Sequence, residues 1–178
     1  MKRQQLSKRY FYNPLQMSST FFNPNDKEII VPTENDNYFR KRLLKGEVHD
    51  ENAYILNGIS GHAGLFSNAS DIGKFSKFFL NEGVFLGRRY LKKNLVEDFT
   101  SKKNNPVKSD RALGWDTPSS IGSSAGDYFS KGSFGHLGFT GTSLWIDPKE
   151  EIIIVFLTNR VHPSRENKGI YKVRRKLH

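Results

Sequence analysis

Apolar residues recur at helical spacing in the segment from Asn68 to Gly83. Asn68 is placed to cap a helix, and Asp71, three residues later, completes a variant of the capping box. One face of this helix is apolar and consists of Ile72, Phe75, Phe78 and Phe79. Gly83 is placed to end the helix. The pattern predicts a helix that packs this face into the core.

The same spacing indicates two more helices. Residues 91–99 carry apolar side chains four positions apart, at Leu91, Leu95 and Phe99, and predict a second core helix. Near the end of the chain, Ser164 is placed to cap an amphipathic helix whose apolar positions are Ile170, Val173 and Leu177. We expect this last helix to pack on a sheet.

Between these helices the apolar pattern becomes that of strands. Residues 134–139 and 142–146 are strand candidates joined near Gly141, and residues 147–150 form a turn after them. Residues 152–158 are a continuous apolar run, typical of a strand that is covered on both faces. The pattern predicts three consecutive antiparallel strands.

The remaining segments contain turn formers and few periodic apolar residues. Residues 1–22 predict the tail of a helix and a turn at Asn13 and Pro14, and residues 23–46 predict irregular surface structure. Residues 102–131 are rich in Ser, Gly, Asn and Pro. They predict a loop that lies over the sheet or at the mouth of a cleft.

Composition limits the chemistry that the chain can carry. With 178 residues, of which 36% are hydrophobic, the chain can build one domain with a sizeable core. It has no cysteine, which excludes disulfides, zinc–thiolate sites, iron–sulfur clusters and a cysteine nucleophile. No apolar run reaches the roughly 18 residues of a membrane span, and no apolar signal region follows the basic first residues. We therefore expect neither a membrane span nor an export signal within this chain.

The net charge of +10 could indicate an anionic partner. The basic residues, however, are scattered over residues 2–9, 40–45, 88–93 and 172–176, and none of these segments has the signature of an RNA- or DNA-binding motif. The pattern favours a solvated basic surface, and we expect no nucleic-acid partner.

Two clusters imitate functional sites. The first contains Glu47, His49, Asp50, Glu51 and His62. Their spacing matches no common metal-ligand pattern, so loop hydrogen bonding is the better interpretation, and we expect no metal and no other cofactor. The second cluster, residues 122–126, matches the Gly-x-Ser-x-Gly nucleophile motif around Ser124. That motif needs a strand before it and a helix after it, so a Ser/Gly loop is the better interpretation.

The most informative motif lies in residues 133–160. It contains His136-Leu-Gly-Phe-Thr-Gly-Thr-Ser143, then Leu-Trp-Ile-Asp147-Pro148, and later Leu157-Thr-Asn-Arg160. These runs resemble the third motif and closing strands of the serine β-lactamase and penicillin-binding (DD-peptidase) superfamily, in its broad esterase-like branch. In that branch the familiar Lys-Thr-Gly is often His-x-Gly. Residues 46–54, 61–67, 114–118 and 123–126 are similar to the same branch, so the resemblance covers nearly the whole chain.

The resemblance implies a mixed α/β fold, of the β-lactamase and transpeptidase type, of which this chain is the C-terminal part. Helices would come first, followed by three consecutive antiparallel strands and a C-terminal helix packed on the sheet. We expect a single, N-terminally incomplete domain over residues 1–178, with helices and loops in residues 1–132 and the strands and last helix in residues 133–178. Where the family's sheet continues with two further strands, this chain would leave an unpaired edge.

The resemblance also implies a substrate-binding set, His136, Leu137, Gly138 and Phe139. His136 would take the position of the motif's lysine and offer a proton donor to the cleft. Gly138 would let the substrate approach closely, and the Phe139 N–H would be one of two oxyanion-hole donors. The family's other motifs, Ser-x-x-Lys and Tyr-x-Asn or Ser-x-Asn, occur nowhere in the 178 residues. We therefore assign no catalytic residue to this chain.

The implied function is that of a serine hydrolase that cleaves amide or ester bonds through an acyl-enzyme. This chain is expected to be inactive alone. Its substrates, once it is completed, would be small molecules such as β-lactams and esters, or peptidoglycan stem peptides. Two alternatives stay open: a non-catalytic module that binds an anionic cell-envelope polymer, and one half of a split enzyme whose other half is a separate chain. Intact relatives would be expected in the bacterial envelope.

Overall fold

The computed structural model describes residues 3–102 and 109–178. The described chain contains five α-helices: α1 (Arg3–Ser7), which continues as a π-helical turn (Lys8–Tyr12), α2 (Glu51–Ile55), α3 (Ala69–Leu80), α4 (Lys93–Thr100) and α5 (Ile170–Leu177). Three two-stranded ribbons lie in the first half, formed by β1 (Phe21–Phe22) with β4 (Leu65–Phe66), β2 (Asn35–Asp36) with β3 (Arg42–Leu43), and β5 (Val84–Phe85) with β6 (Arg88–Arg89). A larger sheet follows, with strands β7 (Phe134–Leu137), β8 (Ser143–Asp147) and β9 (Ile152–Phe156). None of the described helices is long and apolar enough to cross a bilayer.

The larger sheet is antiparallel, and its strands are ordered β7-β8-β9. The central strand β8 carries Trp145 and Ile146, both fully buried. Gly135 of β7 lies opposite Trp145, and a Cβ at this position would lie 2.4 Å from the indole ring. The predicted three antiparallel strands and mixed α/β fold are confirmed. The outer strands end two residues before their predicted limits, at Leu137 and Phe156.

The two outer strands have different surroundings. On β7, the Asp116 N–H donates to the Gly135 carbonyl at 2.7 Å, and the Gly135 N–H donates back at 2.9 Å. On β9, the outer edge has no neighbouring strand among the described residues, and Ile152 is 48% exposed. The prediction that this strand is covered on both faces is therefore wrong, because none of its residues is buried.

Helix α3 forms as its sequence pattern predicts. The Asn68 side chain accepts a hydrogen bond from the Asp71 N–H at 2.9 Å, and the helix ends before Gly83, whose φ of 85° suits glycine. Phe78 is buried in a core cluster with Leu15, Met17 and Phe85, and the neighbouring Phe75 and Phe79 pack against this cluster. Residues 13–16 form the predicted turn.

Helix α4 buries a different face from the predicted one. Val96 is 4% exposed, whereas Leu95 and Phe99 are 41% and 45% exposed. The helix begins at Lys93, so Leu91 lies outside it and packs instead against the core cluster around Phe78. The four-residue spacing is correct, but the prediction that Leu95 and Phe99 pack in the core is wrong.

Helix α5 also begins later and turns a different face inward. It starts at Ile170 after Gly169, and no side chain caps it. Ser164, the predicted cap, accepts a hydrogen bond from the Glu166 N–H at 3.3 Å in the preceding turn. The buried positions are Ile170, Arg174 and His178, whereas Val173 and Leu177 are exposed. Hydrogen bonds from Arg174 and His178 to the sheet region set this orientation.

Residues 23–46 are irregular, as predicted, but they are not confined to the surface. Leu44 is fully buried, and Glu34 and Asp36 are also buried. The Asp36 carboxylate accepts backbone hydrogen bonds from Tyr38, Phe39 and Arg40. Burial raises the pKa of Asp36, but these bonds and the Arg40 guanidinium lower it well below its ordinary value. The predicted loop at 102–131 lies partly outside the described residues, and residues 109–131 contain no helix or strand.

Candidate active site

The predicted substrate-binding residues lie together at the end of β7. Residues two apart on a strand face the same side of a sheet, so His136 shares the face of Phe134. On that face the Phe134 ring lies 6.4 Å from the Phe79 ring of α3, centroid to centroid. His136 is exposed, and its Nδ1 lies 2.9 Å from the Leu137 carbonyl oxygen. Donation from Nδ1 to this carbonyl leaves Nε2 available to a substrate.

Leu137 and Gly138 lead the strand into a narrow turn. Leu137 is half-buried and pairs with Ser143 of β8. The Gly138 N–H donates to the Thr142 carbonyl at 2.7 Å. A Cβ on Gly138 would lie 2.2 Å from the Thr142 hydroxyl oxygen, so a larger residue would require Thr142 to move. Glycine at this position therefore allows the Thr142 side chain to keep its place beside the turn.

Phe139 presents both a ring and a backbone donor at this turn. Its side chain is 59% exposed, and its N–H donates to no other described residue. The ring has the Arg160 guanidinium 4.2 Å from its centroid and the His49 imidazole at 5.6 Å with an angle of 30° between the planes. The backbone donor is therefore available, while the side chain is anchored from two sides.

A buried ionic network supports His49 beside this ring. The His49 Nε2 lies 2.8 Å from a Glu34 carboxylate oxygen. The Arg165 guanidinium donates to the same carboxylate at 2.7 Å and to Glu51 at 2.8 Å. Burial raises the pKa of Glu34, but the hydrogen bonds from Arg165 and His49 outweigh this effect and lower the pKa to about 2. The carboxylate is therefore charged at neutral pH.

Residues of the two clusters that imitate functional sites make hydrogen bonds with neighbouring residues. His62 lies 3.0 Å from Asp50 through Nε2 and 2.8 Å from the Ser60 hydroxyl through Nδ1, in line with loop hydrogen bonding. Within residues 3–102 and 109–178, no group of three or more His, Cys, Asp or Glu side chains could hold a metal ion. Ser124 lies in a turn without a strand before it or a helix after it, and its carbonyl accepts from His178 Nδ1 at 2.7 Å.

Several residues that shape this site were not assigned a role from the sequence. They are Glu34, Thr158, Arg160, Arg165, Arg174 and His178. Arg160 belongs to the motif Leu157-Thr-Asn-Arg160, which was a signal for it. The contact between Glu34 and Arg165 joins positions 131 residues apart, and no local pattern indicates such a pair.

Comparison with known proteins places these features in a family. The family model Beta-lactamase matches residues 1–177. The chain is 33% identical over 187 residues to an N-acetylmuramyl-L-alanine amidase of Bacillus subtilis, over 90% of this chain and 41% of the amidase. It is 34% identical over 159 residues to a proposed D-alanyl-D-alanine carboxypeptidase of Salmonella gallinarum, over 88% of this chain and 36% of that protein.

The fold comparison agrees. A beta-lactamase of Mycobacterium bovis superposes with a TM-score of 0.62 at 15% identity, over 98% of this chain and 54% of that one. The chain therefore belongs to the beta-lactamase family, as the resemblance of its motifs predicted. It spans about two fifths of the length of the two relatives that it matches in sequence.

Proposed function

We propose that this chain forms the substrate-binding and oxyanion side of the active site of a serine hydrolase. The observation that carries the proposal is the N–H of Phe139, which has no hydrogen-bond partner among the described residues and lies on a hydrogen-bonded turn three residues after the exposed His136. Backbone N–H groups held in this way stabilise the negative charge that develops on a carbonyl oxygen during acyl transfer. The family membership of the chain supports the same chemistry.

Each of the motif residues has a part in the proposed reaction. A serine hydroxyl attacks the substrate carbonyl as the lysine of the Ser-x-x-Lys motif takes its proton, and the Phe139 N–H binds the resulting oxyanion. Collapse of this intermediate expels the amine or alcohol, which takes up a proton, and leaves an acyl-enzyme. In the imidazolium form, in which both ring nitrogens carry a proton, His136 donates from Nδ1 to the Leu137 carbonyl and from Nε2 to a substrate carboxylate or to the leaving group. Gly138 keeps the approach to the strand open. Water then hydrolyses the acyl-enzyme.

The motifs that carry the family's nucleophile and proton relay, Ser-x-x-Lys and Tyr-x-Asn, do not occur in the 178 residues. We therefore propose that the chain by itself forms no acyl-enzyme. The completed hydrolase is this chain together with the segment that carries these two motifs, encoded either in the same gene or as a separate polypeptide.

The names of the two sequence relatives suggest a substrate class. One is named for an amide bond to L-alanine and the other for a bond between two D-alanines. For the completed hydrolase we propose the amide bonds of peptidoglycan stem peptides as substrates, and β-lactams as mimics that acylate the same serine.

Acylation by a fluorescent penicillin, measured by intact mass, tests the proposal. We expect no covalent adduct on the chain alone and one adduct on the completed hydrolase. His136→Ala should lower the acylation rate of the completed hydrolase by about a hundredfold, a typical effect for a lost proton donor. His62→Ala, the same change at an exposed histidine outside the β7–β8 turn, should leave the rate unchanged.

Two results would contradict the proposal. An adduct on the isolated chain, at Ser124 or elsewhere, would place a nucleophile within these residues. A gene and its neighbours that encode neither Ser-x-x-Lys nor Tyr-x-Asn would remove the catalytic role and leave the binding-module alternative. The DNA upstream of Met1, translated in all three frames, is therefore the first thing to determine.

A further inference from the structure

Hydrogen bonds fix all the carbonyl groups of the turn between β7 and β8. The five consecutive carbonyl oxygens of residues 138–142 each accept a hydrogen bond from a described residue. Two of these carbonyls accept from within the turn, Gly138 from the Gly141 N–H at 3.1 Å and Thr142 from the Gly138 N–H at 2.7 Å. The donors from outside the turn are Arg174 Nη2 to Gly138 at 2.8 Å and to Thr142 at 2.6 Å, Arg160 Nε to Phe139 at 2.7 Å, the Arg160 N–H to Thr140 at 2.8 Å, and the Thr158 hydroxyl to Gly141 at 2.6 Å. The peptide groups of this turn therefore have little freedom to rotate.

Arg174 bonds the peptide group that bears the proposed oxyanion donor. A peptide unit is planar and trans, so the Gly138 carbonyl and the Phe139 N–H belong to one rigid group and point in opposite directions. Arg174 and the Gly141 N–H both donate to this carbonyl, so Arg174 contributes a charged hydrogen bond that helps to fix the direction of the N–H.

Arg174 reaches this peptide group from α5, and the burial of its charge lowers the stability of the fold. The residue is 5% exposed, and no described carboxylate forms an ion pair with it. Its Nε is buried and has no hydrogen-bond partner in the described part of the chain. Burial and the nearby charge of Arg160 lower the pKa of Arg174, yet a guanidinium stays protonated in proteins. A buried cation without a counter-ion lowers stability, so packing alone gives no reason for arginine at this position.

We infer that Arg174 is a positioning residue for the oxyanion site. Its charged hydrogen bond polarises the Gly138–Phe139 peptide, makes the Phe139 N–H a stronger donor and holds it toward the developing negative charge. The inference rests on the proposed function, because Phe139 has this role only in a serine hydrolase. Arg160 holds the following peptide in the same way, through the Phe139 carbonyl.

The first measurement uses the chain by itself and does not depend on catalysis. The amide nitrogen chemical shift of Phe139 responds to hydrogen bonding at the preceding carbonyl. Arg174→Met, which removes the guanidinium, should move this resonance, and Arg174→Lys, which keeps a charged donor, should restore part of the change. Arg175→Met is the matched control, because Arg175 is exposed and pairs with Asp127 on the surface. It should leave the Phe139 resonance in place.

The second measurement uses the completed hydrolase. Arg174→Met should lower the acylation rate constant about tenfold, less than the hundredfold or more that follows loss of an oxyanion donor itself. The KM should change little, because the bond strengthens as charge develops in the transition state. Arg174→Lys should recover part of the rate, and Arg175→Met should match the wild type.

The outcomes separate this inference from the proposed function. If the wild-type completed hydrolase is acylated and Arg174→Met is acylated at the same rate, the inference is overturned and the proposed function stands. The same holds if the Phe139 resonance does not move in Arg174→Met. A wild-type completed hydrolase that forms no acyl-enzyme overturns both. If Arg174→Met does not fold, Arg174→Lys is compared with Arg175→Lys, and equal rates and equal Phe139 shifts in these two variants overturn the inference.

Discussion

Glu34 shows how one buried side chain organises the surroundings of the candidate site. Its carboxylate accepts hydrogen bonds from His49 and Arg165, and the His49 imidazole lies against the Phe139 ring. Arg165 also donates its backbone N–H to Glu34 at 2.9 Å. One carboxylate thus joins the segment around residue 165 to the loop before α2, and it does so next to the turn that carries Phe139.

The charge of Glu34 should make stability depend on pH. Its pKa is lowered from 4.5 to about 2, so its contribution is complete above pH 4.5 and is lost as the pH falls toward 2. Glu34→Gln should cost about 3 kcal/mol at pH 7, the lower end of the cost of breaking a buried pair. The difference from wild type should shrink as the pH falls through this range. Urea denaturation at several pH values measures it.

Glu47→Gln is the control for this prediction. Glu47 pairs with Arg42, whose side chain is 50% exposed, and such surface pairs contribute little. A pH-independent difference between Glu34→Gln and wild type would contradict the assignment of the ionic network.

Helices α4 and α5 show how the buried face of a short helix is chosen. In α5 and at the residue that follows it, the buried positions are Ile170, Arg174 and His178, four residues apart. His178 Nε2 lies 3.0 Å from the Ser143 hydroxyl, and burial lowers the pKa of this histidine. Polar contacts to the sheet therefore determine the orientation of a helix whose apolar positions suggested another face.

Helix α4 allows a direct test of the buried face. Val96→Ala should destabilise the chain by about 2 kcal/mol, because it removes methyl groups from a side chain that is 4% exposed. Leu95→Ala removes a larger group from a side chain that is 41% exposed, and it should cost less than about 1 kcal/mol. Denaturant unfolding of both variants gives the comparison. A larger loss of stability in Leu95→Ala than in Val96→Ala would mean that the face predicted from spacing is the buried one.

At the scale of the whole molecule, the two outer strands of the sheet differ in what lies beside them. Strand β7 is bridged by Asp116, whereas β9 has no neighbour at its outer edge within the described chain. Helix α3 packs against β8 and β9 on one face, and α5 contacts the sheet region through Arg174 and His178. The open edge of β9 is a place where a further strand can pair.

Amide hydrogen exchange should show this difference between the strands. In the chain alone, the amides of the central strand β8 should exchange slowest, and alternate amides of β9 should exchange faster because they lack a partner. In the completed hydrolase, the β9 amides should become protected if the added segment pairs there. Protection of β9 equal to that of β8 in the chain alone would contradict an open edge.

Sequence alone determined the order and type of the main elements, together with the family. Helix α3 was predicted with its Asn68 cap, and the three antiparallel strands were predicted in order, because capping and strand periodicity are local properties. The motif His136–Phe139 located the candidate site, and its role in binding stays a prediction.

Tertiary structure decided which faces are buried and what holds the site. The spacing of apolar residues shows that a helix has an apolar face. Only the neighbouring elements determine that Val96 is buried and Leu95 is exposed. The pairs Glu34–Arg165 and Arg174–Gly138 join positions far apart in the chain, and each is a charged group whose cost of burial is offset only where the fold supplies partners. No local sequence pattern encodes a contact between such distant positions, so these contacts appear only once the chain is folded.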